Sequence, residues 1–259
     1  MILFSHFPVF TIALAFAMVG AALLAFMRKW VALHFLTSHH EVAFPIFLQI
    51  GVIYAVLLAF TFSMVLDQLA DSFRTTQTET TNLLTLAQLA PGFSTDMKKK
   101  VDANLLEYTK EVIYGEWPLM AKKQEDANIS RLLDDLERLY LNYTPQNVRE
   151  QIIYSNSLEH LANLRENRRI RIFTATEPKI SSPLTLLSIL GFIVIAISYF
   201  FGMHRLWAQM VLTGSLIFTI SSILIIIYML GNPFAGKFGL KPKVFKNAQV
   251  RLEQISRDF

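Results

Sequence analysis

The sequence predicts an all-α membrane protein, with four transmembrane helices and a helical cytoplasmic bundle inserted between the second and third. Three observations carry that prediction. Only 17% of the 259 residues are charged and 53% are hydrophobic, against about 25% charged in a soluble domain. Four stretches without Lys, Arg, Asp or Glu each exceed the roughly 20 residues that a helix needs to cross a bilayer. Gly and Pro number 10 and 9, too few for a turn-rich β architecture.

The first span, about 7–27, lies in a stretch that holds only His6. No Lys or Arg precedes it and its apolar run outlasts the usual signal-peptide core, so it reads as a span. The second, about 43–66, lies between Glu41 and Asp67, and its helix does not stop there. Phe62, Leu66, Leu69, Phe73, Thr76, Thr80, Leu84 and Ala87 follow steps of three and four, and no breaker intervenes before Pro91-Gly92. One helix of over 40 residues, roughly 65 Å long, is expected. Ser94 is the expected N-cap of the next helix, which Pro118 kinks or ends. A further helix covers about 129–141. Thr144-Pro145 reads as the start of another, a capping hydroxyl before a proline at the first helical position, running to about Phe173. Pro178 closes the block. Spans three and four, about 183–203 and 206–230, form a tight hairpin through Gly202-Met203-His204-Arg205. The expected domains are therefore 1–66, a first hairpin; 67–180, a cytoplasmic helical domain; 181–230, a second hairpin; and 231–259, a cytoplasmic tail.

Orientation follows the Lys and Arg near span ends. One side carries Arg74, Arg165, Arg168, Arg169, Arg171, Lys179, Lys237, Lys241, Lys243 and Lys246; the other carries Arg28, Lys29 and Arg205. The total puts both termini and the middle block in the cytoplasm, although Arg28-Lys29 taken alone favours the reverse. Lys237, Lys241, Lys243 and Lys246 fall where anionic headgroups would lie.

Catalytic and metal-binding patterns are lacking. No cysteine is present, which removes disulfides, thiol nucleophiles and thiolate sites. His39-His40-Glu41 is the only histidine cluster, and adjacent histidines diverge on a helix, unlike ligands spaced i, i+4. Glu125-Asp126 and Asp134-Asp135 read as solvated helix faces. Phosphate-cradling, metalloprotease and serine-hydrolase motifs are missing, the net charge of +4 is too scattered for nucleic acid, and the span interiors hold no ionisable group that a pump would use. Neither an enzyme nor a cofactor or metal is expected.

The second span offers a site. At 100° per residue from Gln49, one face collects Val52, Ile53, Val56, Phe60, Ser63, Asp67, Asp71, Arg74, Thr78 and Thr81. The other collects Tyr54, Leu58, Phe62, Leu66, Leu69, Phe73 and Leu83, the expected packing stripe. The first face passes from Gln49 through an apolar patch to hydroxyl and charge. That order suits a pore lined by identical helices, a hydrophobic constriction opening on a polar vestibule; the same apolar residues would equally suit a lipid-facing or helix-packing surface.

Glu41-Val42-Ala43, Gly51-Val52-Ile53-Tyr54-Ala55-Val56-Leu57-Leu58-Ala59-Phe60, Glu79, Tyr114-Gly115-Glu116-Trp117-Pro118 and Asn232-Pro233-Phe234-Ala235-Gly236 together resemble the bestrophin-like domain family of bacterial membrane proteins. Bestrophins proper are pentameric anion channels with two spans, a helical cytosolic block and two more spans. Matching Leu66-Asp67-Gln68 to the end of their neck helix implies a neck at Leu48, Val52 and Val56, beside Phe60 on the face derived above. Here the neck is aliphatic where bestrophins favour phenylalanine. The double tryptophan that closes their helix is missing, as is the acidic calcium clasp, so calcium gating is not implied.

The expected function is thus a homo-oligomeric channel for small inorganic anions in a bacterial inner membrane, a pentamer with membrane lipid and its own copies as partners. Its constriction would be Leu48, Val52, Val56 and Phe60, and its mouth and vestibule Gln49, Ser63, Asp67, Asp71, Arg74 and Thr78. Tyr54, Trp117, Pro118 and Phe234 are expected in structural roles, with Trp117 buried between the cytoplasmic helices and Phe234 docked back onto the cytoplasmic block. The alternative is a membrane-anchored scaffold or sensor whose cytoplasmic helices bind a partner and which conducts nothing.

Overall fold

The structure is a computed structural model describing residues 7–30, 40–177, 180–203, 205–236 and 239–258. His6, His34, His39, Pro178, Lys179, His204 and Lys237 lie outside the described residues, as do the side chains of His40, Glu41 and Val42. The described residues form helices and no strands: α1 (Phe7–Trp30), α2 (His40–Leu89), α3 (Thr95–Glu111), α4 (Trp117–Met120), α5 (Ala127–Leu141), α6 (Val148–Thr176), α7 (Ser181–Ser198), α8 (Leu206–Leu230) and α9 (Lys243–Asp258). Four helical stretches, in α1, α2, α7 and α8, are long and apolar enough to cross a bilayer. The chain divides into two compact units, Met1–Asp67 with Lys179–Gly231, and Gln68–Pro178 with Asn232–Phe259.

In the first unit α1 packs along α8 through Ala17, Leu24 and Ile217. Gly20 permits the close approach, since a Cβ there would fall 2.2 Å from Ile217 Cδ1. Tyr199 donates its hydroxyl hydrogen to the Gly20 carbonyl at 2.8 Å. A second cluster joins the start of α2 to α7 and α8 through Tyr54, Val65, Leu187, Val194, Ile220 and Ile227. Helix α7 ends at Ser198, short of the expected 203. Tyr199, Phe200 and Phe201 donate to carbonyls three residues back ahead of Gly202, tightening the last turn, so the hairpin connection is longer than the sequence suggested.

The second unit has its own core, in which Leu83, Leu86, Val101, Leu105, Tyr108, Ile129, Leu136, Leu164, Phe245 and Leu252 come together. Ser94 caps α3 by accepting from the Met97 N–H, as its position predicts. Val112–Glu116 then widens into a π-helical turn, and Pro118 sits in the first turn of α4. The start of α6 differs from expectation. Asn147, not Thr144, is its cap, accepting from the Glu150 N–H while Glu150 reaches back to the Gln146 N–H and the Tyr143 hydroxyl. This reciprocal box satisfies more of the free N–H groups than a Thr144 cap could. The tail, to which the sequence reading assigned no element, forms α9, whose Phe245, Ala248 and Leu252 are buried at helical spacing.

Candidate functional site

The ten residues assigned from sequence to the constriction and vestibule are all exposed on the single chain. Leu48, Val52, Val56 and Phe60 are 57%, 57%, 48% and 71% exposed. Steps of four align them along one edge of α2 over about 18 Å. Gln49, Ser63 and Asp67 are exposed in the first unit, and Asp71, Arg74 and Thr78 in the second. Asp71 and Arg74 pair at 3.5 Å with both side chains largely in solvent, an interaction of small value. Only 11% of the most apolar stretch of α2 is buried, against 28% in both α1 and α8. Helix α2 is thus the least covered of the three.

Opposite that edge, Tyr54 and Val65 are buried in the first unit. Gly191 makes room for Tyr54: a Cβ there would lie 2.8 Å from its hydroxyl oxygen. The packing stripe read from sequence needs correction further along. Leu66 and Phe73 are both exposed, while Ser72, Thr76, Glu79 and Thr80 are buried. The reason is local satisfaction. Ser72, Thr76 and Thr80 donate to the carbonyls of Gln68, Ser72 and Thr76, so the hydroxyls need no water.

Glu79 has the most elaborate partners. Arg171 of α6, fully buried, donates to it from Nε at 2.7 Å and from Nη2 at 2.9 Å. The same Nη2 reaches Glu116 at 2.8 Å, and Arg171 Nη1 meets Met120 Sδ at 3.1 Å. Arg168 forks onto Glu116 Oε1 at 3.1 and 2.6 Å, and Tyr108 donates to Glu79 at 2.5 Å. Two guanidinium groups thus balance two carboxylates. Burial alone would lower the pKa of Arg171, but the Glu79 and Glu116 carboxylates hold it well above its ordinary value. Burial and the neighbouring Glu79 charge push Tyr108 well up. The Arg171 guanidinium lies 5.7 Å from the Trp117 ring and 5.4 Å from the Phe245 ring, within cation–π range.

Trp117 is 6% exposed, and its indole N–H donates to the Leu240 carbonyl at 3.1 Å. Its ring meets Phe234 edge-on at 5.5 Å. The Asn232–Gly236 segment turns back through Gly236 at φ +72°, and the Leu240 N–H bonds Pro233 O at 2.6 Å. Pro118 is exposed, as are Glu125, Asp134 and Asp135.

Sequence reasoning noted Glu79 and Glu116 only as parts of short motifs and missed Tyr108, Arg168 and Arg171. A signal was available: Leu161, Leu164, Arg168, Arg171, Ile172 and Ala175 share one helical face, which sets two cations inside an apolar stripe. Among the described residues, no group of three or more histidine, aspartate or glutamate side chains is placed to hold a metal ion.

A family model for the bestrophin-like domain matches residues 14–245. The crystal structure of a bacterial bestrophin homologue from Klebsiella pneumoniae superposes with a TM-score of 0.72 at 13% identity, covering 95% of this chain and 98% of that one. Two variants of that homologue give 0.71 at 16% identity, covering 98% of each chain, and 0.67 at 15%, covering 95% of this chain and 98% of that one. At such identities the likeness is one of fold. No curated protein matches the sequence.

Proposed function

The chain belongs to the bestrophin-like domain family, and from that premise we propose that it is a homo-oligomeric ion channel of bestrophin type, selective for small anions, in a bacterial inner membrane. Copies of α2 surround the axis, five by analogy with the bestrophin channels. Leu48, Val52, Val56 and Phe60 form the constriction; Gln49 stands at the mouth, and Ser63, Asp67, Asp71, Arg74 and Thr78 line the vestibule. The termini and the second unit are cytoplasmic, in keeping with the Lys and Arg total.

The observation that carries this reading is the bare edge of α2. An apolar row with hydroxyl and charge beyond it is left uncovered by the other described residues. A dry ring of this kind blocks ions by dewetting when its radius approaches that of water. The anion preference is carried over from bestrophin channels. On the edge itself the Asp71–Arg74 pair cancels and Asp67 opposes that preference, so chloride and sodium replacement in an open variant is the decisive check of selectivity.

The test of conduction is flux in liposomes together with melting temperature. Val56→Ser and Phe60→Ala raise flux with the oligomer intact. Leu58→Ser, at a residue packed against the α7–α8 cluster, mainly lowers stability. Folded, oligomeric variants with no flux would contradict the channel and favour the scaffold.

A further inference from the structure

A cavity of about 390 Å³ opens in the first unit between the start of α2, the turn after α7 and the first half of α8. It falls within the range of small-molecule sites. Phe44, Phe47, Phe201, Leu212 and Leu216 give it apolar walls, with Phe47 and Phe201 centroids 5.0 Å apart. At one wall stands Gln209, 2% exposed. Its Oε1 accepts from Arg28 Nη1 and from the Met203 N–H at 3.3 Å. Those two donors fix which way the amide faces, because only the oxygen can accept. Its Nε2 is left buried with no partner among the described residues, which is costly in apolar surroundings. Arg28, in the last turn of α1, is not itself a lining residue but borders the cavity through Gln209 and Met203, donating to the Met203 carbonyl at 2.8 Å. Its two hydrogen bonds among the described residues therefore go to neutral oxygens.

An unpartnered donor, a cation bonded to neutral acceptors and an apolar trough together call for an amphiphile with an anionic, acceptor-rich head. We propose that this cavity binds an anionic phospholipid. The phosphate takes hydrogen bonds from Arg28 and from Gln209 Nε2, and an acyl chain lies along Phe44, Phe47 and Phe201. A phosphate suits a guanidinium because charge-assisted bonds to it are strong and directional. The site lies where α1 ends and the α7–α8 connection runs, and Phe44 brings it within one turn of Leu48 on α2.

The test uses the delipidated full-length oligomer in non-ionic detergent. Native mass spectrometry and melting temperature are read with added phosphatidylglycerol, phosphatidylcholine or inorganic phosphate. The expected result is one phosphatidylglycerol retained per chain, bound at least tenfold tighter than phosphatidylcholine, with no shift from inorganic phosphate. Arg28→Gln abolishes the preference between the two lipids. Leu212→Trp, at an exposed wall position, fills the trough and loses both lipids while keeping the lipid-free melting temperature. Equal binding of the two lipids, an equal response to inorganic phosphate, or unchanged binding in a folded Leu212→Trp variant would each overturn the proposal. So would an intact oligomer that retains no lipid because a second copy closes the cavity.

Discussion

Replacing Arg171 by methionine keeps the bulk of the side chain and removes its charge. In the folded protein Arg171 is fully buried, binds Glu79 through two nitrogens and Glu116 through one, and lies against two aromatic rings. The cluster of Arg168, Arg171, Glu79 and Glu116 is formally neutral, so Arg171→Met leaves one uncompensated carboxylate in a dry interior. Glu79 keeps only the Tyr108 hydroxyl, while Glu116 keeps Arg168. Breaking a buried pair in this way costs about 3–5 kcal/mol. Glu79→Gln leaves the opposite imbalance, one excess guanidinium charge, although Arg171 still retains Glu116. The double variant restores neutrality and should cost less than the sum of the singles, with a coupling on the order of 2 kcal/mol. Hydrogen exchange on peptides from 68–178 of the full-length protein reads this loss locally and does not need reversible melting. Arg165→Gln is the control: its partners Asp134 and Glu137 are substantially exposed, and its loss should cost at most about 1 kcal/mol. Unchanged exchange in Arg171→Met, or a double variant as damaged as the sum, would refute the account of the network.

Trp117→Ala removes a buried ring and its bond to Leu240, and should cost about 3–5 kcal/mol in urea or thermal unfolding; a wild-type melting temperature would contradict that packing. Burial pushes Tyr140 up to about 12, against about 10 unfolded. The folded state therefore holds its proton while the unfolded state loses it, and this contribution, intact below pH 10, is lost as pH rises towards 12. The loss should be on the order of 2–3 kcal/mol, and Tyr140→Phe should flatten that part of the stability profile. An unchanged slope would sink the assignment.

The spans were legible because lipid imposes a long, uniform requirement on sequence. Ser94 was legible because a cap is a local bargain between a hydroxyl and an N–H three residues on. Asn147 was equally local, but Thr144-Pro145 imitated the signal three residues early. Helix α9 was missed although Phe245, Ala248 and Leu252 repeat at helical spacing, because polar and charged residues outnumber apolar ones along it. The Glu79–Arg171 pair joins residues 92 apart in sequence, and no local period reports a partner at that distance. Within α2, the switch from an apolar to a hydroxyl-bearing buried stripe at Ser72 moved Leu66 and Phe73 to the surface. A rule that places only apolar residues inside could not anticipate that change. On α2, Gln49, Val52, Val56 and Phe60 were placed on one face by their helical step, and Leu48 joined them through the resemblance to bestrophins.

The central claim is that copies of α2 meet around an axis through Leu48, Val52, Val56 and Phe60. A density map of the purified oligomer in nanodiscs, resolved well enough to trace helices, tests it most directly. The account predicts a closed ring of copies with α2 innermost and its narrowest radius between Leu48 and Phe60. A persistent monomer, or a ring with α1 or α8 at the centre and the α2 edge against lipid, would contradict it.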